Sequence, residues 1–127
     1  MQKLGDLRKS LHGGEWGGTL SHLACTGPET GRRRAVAVLD GFQRTFGAQA
    51  ELDVTLCSAP GRTEICGNHT DHQYGRVLAA AVNLDFLACA APNGTHTIRF
   101  QSEGWPMVEV ELDTLDPREE GRESTAA

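Results

Sequence analysis

The 127-residue sequence predicts an α+β fold, in which a few helices are followed by a mixed sheet. Before residue 47 the apolar residues recur at helical spacing, and after it they alternate with polar residues as in half-buried strands. Hydrophobic residues make up 39% of the chain, which is enough for a core and excludes wholesale disorder.

The first part of the chain, residues 1–47, is predicted to be a helical lead-in. A short helix is expected over residues 3–12, and the pair Gly13-Gly14 favours its end. Three residues lie on its apolar side: Leu4, Leu7 and Leu11. The Gly-rich stretch that follows, to about Thr26, shows no clear period, and we expect it to be irregular.

A longer helix completes the lead-in. Thr26 and Glu29 have the spacing of a capping box. Pro28 suits a first turn, and Gly47 favours the end of the helix. Five apolar residues recur at helical spacing between these ends: Ala35, Val38, Leu39, Phe42 and Phe46.

The second part, residues 48–115, is predicted to form a sheet of four or five strands. Alternation at 52–56 predicts the first strand, and the apolar run 77–91 predicts one or two buried strands. Further strands are expected at 95–101, with Ile98 and Phe100 facing inward, and at 108–112.

The last residues, 116–127, begin like a helix. Asp116, Pro117 and Glu119 suit the N-terminal positions of a helix, yet no apolar face follows them. One face of the sheet therefore has little to cover it, and the sequence suggests a truncated chain. An uncovered sheet face would favour association.

Composition argues against several classes of protein. The net charge is −5 and the one basic run, 32–34, is expected on the solvated side of a helix, so we expect no nucleic-acid partner. No stretch approaches the roughly 20 apolar residues of a membrane span, and no apolar signal region is present, so a cytoplasmic location is expected. Four cysteines without metal-ligand spacing are expected to be buried and reduced: Cys25, Cys57, Cys66 and Cys89.

The densest group of functional side chains lies in a predicted loop, residues 59–75, between a strand and the apolar run. Arg62 offers a fixed fork of donors that suits phosphate oxygens. Asn68, His69 and Asp71 offer short, directional hydrogen bonds to a polyhydroxyl ligand. His69, Asp71 and the neighbouring His72 are also metal-ligand types, but no further ligand is clearly paired with them, so no metal site is assigned.

The run APGRTEICGNHTDHQYG resembles the N-terminal signature of galactokinase, a sugar kinase of the GHMP superfamily. Gly61-Arg62, Ile65, Gly67 and His69-Thr70-Asp71 match the family pattern, as does the Gly75 turn before the apolar strand. The resemblance extends over residues 42–120. It implies that the chain is part of a two-layer GHMP kinase N-terminal domain, the ribosomal protein S5 domain 2-like fold, in incomplete form.

The resemblance also implies roles for single residues. Arg62 matches the arginine that stabilises the charge on the transferred phosphoryl group. Four consecutive positions match the sugar-binding stretch: Asn68, His69, Thr70 and Asp71. The sequence departs from the pattern where Asn68 replaces glutamate, His72 replaces tyrosine and Thr63-Glu64 replaces an apolar residue and asparagine, so the identity of the sugar stays open.

The expected activity is ATP-dependent phosphorylation of galactose or a related sugar at the anomeric hydroxyl. The full-length family uses ATP and Mg²⁺, but residues 1–127 contain no Gly/Ser-rich phosphate loop, and no later catalytic aspartate is identified. This chain alone is therefore expected to be inactive as a kinase. The alternative is a sugar-binding or regulatory module without catalysis.

Overall fold

The computed structural model describes residues 1–24, 27–67 and 74–113. They fall into two units, Met1–Ala91 and Pro92–Ala127. The first unit holds β1 (Gln2–Lys3), α1 (Leu4–His12), α2 (Gly17–Ala24), α3 (Pro28–Phe46), β2 (Asp53–Cys66) and β3 (Leu78–Ala90). The second holds β4 (Thr97–Phe100) and β5 (Val108–Glu111). The α+β prediction is confirmed.

A single apolar core joins the helices of the first unit to one face of its sheet. The predicted inner side of α1 is confirmed, because all three of its leucines are buried. Among the residues that the structure describes, the buried members of the core are Leu4, Leu7, Leu11, Leu20, Ala35, Leu39, Ala48 and Val54. The helical spacing in α1 and α3 therefore has its cause in burial against the sheet.

Helix α2 lies where the sequence predicts an irregular stretch, and that prediction is wrong. Its Leu20 is buried in the core. Gly31 of α3 faces it so closely that a Cβ on Gly31 would lie 2.9 Å from the Cβ of Leu20. The missing side chain lets the two helices approach, and burial of Leu20 offsets the poor helix propensity of the glycines in this segment.

The two ends of α3 are decided by backbone conformation. Gly27 is the N-cap, with φ of +87° and no side-chain cap bond, so the predicted Thr26 capping box is wrong. Pro28 does lie in the first turn, and Gly47 ends the helix in the left-handed conformation, as expected. Thr26 itself lies outside the described residues.

The basic run on α3 is only partly solvated. Arg33 is exposed, as predicted, but Arg34 turns toward the sheet. Its Nη2 lies 2.6 Å from Oδ1 of Asp85 on β3. The prediction is wrong for Arg34, because a buried carboxylate on the strand attracts its guanidinium group.

The sheets are antiparallel wherever the structure describes them, so the predicted mixed sheet is wrong. The first has the order β1-β2-β3, and the second is the hairpin β4-β5. Only residues 67–77 separate β2 from β3, and a parallel pair needs a crossover of about a dozen residues or more. In the hairpin, Ile98 is exposed rather than inward-facing, while Phe100 is half-buried.

Strand β3 is one long strand, but it is not buried on both faces as its apolar sequence predicts. Leu87 and Cys89 pack against the core. Leu84 and Phe86 on the same strand are 75% and 82% exposed. This exposure agrees with the expectation that one face of the sheet is sparsely covered.

The three cysteines in the described part of the chain are free and lie on strands. Cys57 and Cys66 are exposed, so their predicted burial is wrong. Cys89 is half-buried, and burial raises the pKa of its thiol to about 11. None of the described helices is long and apolar enough to cross a membrane.

Candidate functional site

The candidate site is built on the β2–β3 hairpin. Arg62 lies on β2, while Asn68, His69, Thr70 and Asp71 lie outside the described residues, as does His72. The predicted loop 59–75 is wrong in its first half, since β2 continues to Cys66. Pairing with β3 satisfies the backbone groups of this polar segment, which its Pro-Gly sequence alone does not indicate.

A bulge interrupts the hairpin directly before Arg62. Pro60 pairs with Asp85 and Arg62 with Ala81, so three residues of β3 lie opposite Gly61 alone. A Cβ on Gly61 would lie 3.1 Å from Cγ2 of Val82 and 3.4 Å from the carbonyl oxygen of Leu84. The Gly61 position thus leaves room for the extra residues, and the bulge changes the direction in which the following side chains point.

Arg62 extends into solvent from the strand, with 70% of its side chain exposed. Its Nη2 donates a hydrogen bond of 3.0 Å to Oε1 of Glu64. Residues two apart on a strand lie on the same face, which places the two side chains together. Glu64 is not among the site residues predicted from the sequence, although its spacing of two from Arg62 on a strand is the signal that indicates this contact.

Gly67 lies directly before the segment that holds the predicted sugar-binding residues. Its φ is +91°, and a Cβ there would lie 2.4 Å from the carbonyl oxygen of Arg76 and 2.8 Å from Cα of Val77. The two chain ends that flank residues 68–73 therefore lie against each other. Only glycine fits, because a side chain would be both strained and in contact with backbone.

The far end of the same segment has an unusual backbone. Tyr74 has φ of +58° and a fully exposed side chain. Left-handed conformations are uncommon for aromatic residues and cost about 1–3 kcal/mol. This backbone strain at Tyr74 directly follows residues 68–73.

The nucleotide and metal that the resemblance implies do not fit the described residues. Within ranges 1–24, 27–67 and 74–113, no group of three His, Cys, Asp or Glu side chains could hold a metal ion. Gly61 packs against the Val82 side chain and the Leu84 backbone, and Gly67 packs against the backbone of Arg76 and Val77, so neither glycine forms an open cradle.

Comparison with known proteins bears directly on this hairpin. Residues 40–92 match the family model described as "Galactokinase galactose-binding signature". This part of the chain is similar to the galactokinase signature. The matched range includes all of β2 and β3 and the segment between them. The resemblance found in the sequence motif is confirmed.

Curated galactokinases show the same similarity. The chain is 36% identical over 73 residues to a galactokinase of Lacticaseibacillus casei, which covers 58% of this chain and 18% of that protein. It is 40% identical over 65 residues to a human galactokinase, covering 50% of this chain and 16% of the relative. The chain thus matches less than a fifth of these relatives. No solved structure matches it.

Proposed function

We propose that this chain forms the sugar-binding part of a galactokinase-like enzyme, which phosphorylates galactose or a related sugar at the anomeric hydroxyl with ATP. The observation that carries the proposal is the signature match over 40–92, which coincides with the β2–β3 hairpin. Both Arg62 and Gly67 belong to that hairpin. The GHMP kinase N-terminal fold and a cytoplasmic location are part of the proposal, the latter supported by the free thiols of the strands.

The residues of the motif are proposed to have two roles, binding of the sugar and stabilisation of the transferred phosphoryl group. Asn68, His69, Thr70 and Asp71 are proposed to hold and orient the sugar hydroxyls through directional hydrogen bonds. Arg62 is proposed to stabilise the negative charge that develops on the transferred group. ATP would supply the phosphoryl group and Mg²⁺ would offset the charge of its phosphates, both held by other parts of a longer protein.

Galactose binding by the purified 1–127 chain tests the proposal. We expect saturable binding in isothermal titration calorimetry, because the sugar-binding stretch lies within this chain. Asp71→Ala is expected to weaken it at least about tenfold, the usual effect of removing one hydrogen bond to a charged partner. Glucose, which differs at one hydroxyl, is the matched ligand control.

Two outcomes would contradict parts of the proposal. Absence of galactose binding would remove the sugar-binding role. Phosphoryl transfer from ATP to galactose by the 1–127 chain would show that the nucleotide site is not supplied from elsewhere. Binding that persists in a protein with no kinase activity at any length would favour the sugar-binding module without catalysis.

The contact between Arg62 and Glu64 predicts a gain of function. Glu64→Gln removes a negative charge 3.0 Å from the guanidinium group, so the affinity for galactose 1-phosphate should rise about twofold to fivefold, in line with exposed ion pairs. The affinity for uncharged galactose should stay unchanged. Titration calorimetry with both ligands measures the difference.

The control for this prediction is a second exposed ion pair of similar geometry. Arg99 and Glu109 on the β4-β5 hairpin lie 2.7 Å apart. Glu109→Gln also replaces a glutamate by glutamine and changes the net charge by the same amount. It should leave the affinities for galactose and for galactose 1-phosphate unchanged. An equal rise in the two variants would attribute the effect to net charge rather than to Arg62.

A further inference from the structure

A charged cluster lies between helix α3 and the hairpin, on the covered side of the sheet. The Asp85 side chain is only 4% exposed. Its Oδ2 accepts a 2.7 Å hydrogen bond from Oγ of Ser58, and its Oδ1 lies 2.6 Å from Nη2 of Arg34. Arg34 also donates a 3.2 Å hydrogen bond to the Asp85 carbonyl oxygen. One carboxylate therefore connects α3, β2 and β3.

This cluster lies at one specific place in the strand pairing. Pro60 and Asp85 form the last regular pair before the bulge, and Arg62 and Ala81 form the first pair beyond it. An interaction that holds Asp85 opposite Pro60 therefore also determines where the bulge begins. The position of the bulge in turn determines where the Arg62 side chain leaves the strand.

Beyond the bulge, the side chains of the paired strands do little to select one register. Glu64, Thr63 and Arg62 pair with Ala79, Ala80 and Ala81, three identical small residues that are all exposed. A slip by one residue would cost little packing there, but it would move every side chain to the opposite face. A slip at Asp85 would instead separate a buried carboxylate from Arg34 and Ser58, which is strongly unfavourable.

We propose that Asp85, held by Arg34 and Ser58, is a positioning residue that sets the register of the β2–β3 hairpin and thereby the place from which Arg62 extends. The role in register stands on the contacts alone. Only its consequence for ligand binding rests on the proposed function of Arg62.

The test separates register from stability. Arg34→Met combined with Asp85→Leu replaces the ion pair by apolar side chains, an exchange that usually preserves stability. We expect a free energy of unfolding close to that of the unsubstituted chain in urea titration. We also expect loss of the single set of NMR cross-strand contacts between residues 62 and 81, and about tenfold weaker binding of galactose 1-phosphate, the order expected when a binding group is misplaced. Asp85→Asn, which keeps the shape, should weaken these contacts less.

The control is Asp53→Asn, which removes the exposed 2.7 Å ion pair with Lys3 on β1 and should change neither readout. Intact 62–81 contacts in the folded double variant, or in Asp85→Asn should the double variant not fold, would overturn the proposal. Loss of those contacts in a protein whose unsubstituted form binds no galactose would refute the proposed function and leave the register role in place.

Discussion

Gly67→Ala should abolish measurable galactose binding by this chain. The new Cβ would lie 2.4 Å from the carbonyl oxygen of Arg76, a distance that no side-chain rearrangement relieves because the contact is with backbone. The residue would also keep a φ of +91°, which costs an L-residue about 1–2 kcal/mol. The two chain ends must separate, and the proposed sugar-binding stretch between them loses the support of this contact. Titration calorimetry with galactose measures the loss.

The matched control is Gly47→Ala at the end of α3. Gly47 also has a positive φ, of +63°, but nothing lies within 4 Å of a Cβ placed there. This variant should lose about 1 kcal/mol of stability, as expected from conformational strain alone, and keep its affinity for galactose. Unchanged binding in Gly67→Ala would show that contact between the chain ends is not needed for the site.

Leu39→Ala is expected to be the most destabilising single truncation in the helical part of the core. Leu39 on α3 is completely buried in the apolar core. Removing its side chain loses transfer free energy and leaves a cavity, which together cost about 2–5 kcal/mol. For a unit of this size that is a large share of the total free energy of unfolding. Urea denaturation followed by circular dichroism measures the change.

Leu84→Ala makes the same chemical change on the exposed side of β3. Leu84 is 75% exposed, so its truncation should alter the free energy of unfolding by less than about 0.5 kcal/mol. A cost comparable to that of Leu39→Ala would mean that the exposed sheet face is covered in solution. Concentration dependence of the unfolding midpoint would then identify association as the cause.

Local patterns in the sequence were sufficient for much of the first unit. The leucine spacing of α1 and the proline and glycine at the two ends of α3 determine those helices, because the interactions involved lie within a few residues of each other. The motif around Arg62 and Gly67 likewise identified the family resemblance that the signature match at 40–92 bears out.

Helix α2 and the extent of β2 needed the tertiary structure. The Gly-rich segment at 17–24 is helical because Leu20 packs on Gly31, a contact between distant positions that local propensity does not report. The polar segment up to Cys66 is a strand because β3 pairs with it along its length. In both cases the stabilising partner lies on a different element, whereas periodicity reports only the pattern within one element.

The sequence by itself therefore determined the class of fold, the ends of the long helix and the galactose-binding signature. Only the tertiary structure decided that Arg34 reaches Asp85, that Glu64 holds Arg62 and that a bulge opposite Gly61 precedes the candidate catalytic residue. The physical reason is register. A shift of two residues in an antiparallel pair keeps every side chain on the same face, so the hydrophobic pattern alone does not select the register. Long-range contacts such as the buried Asp85 ion pair select one of these registers.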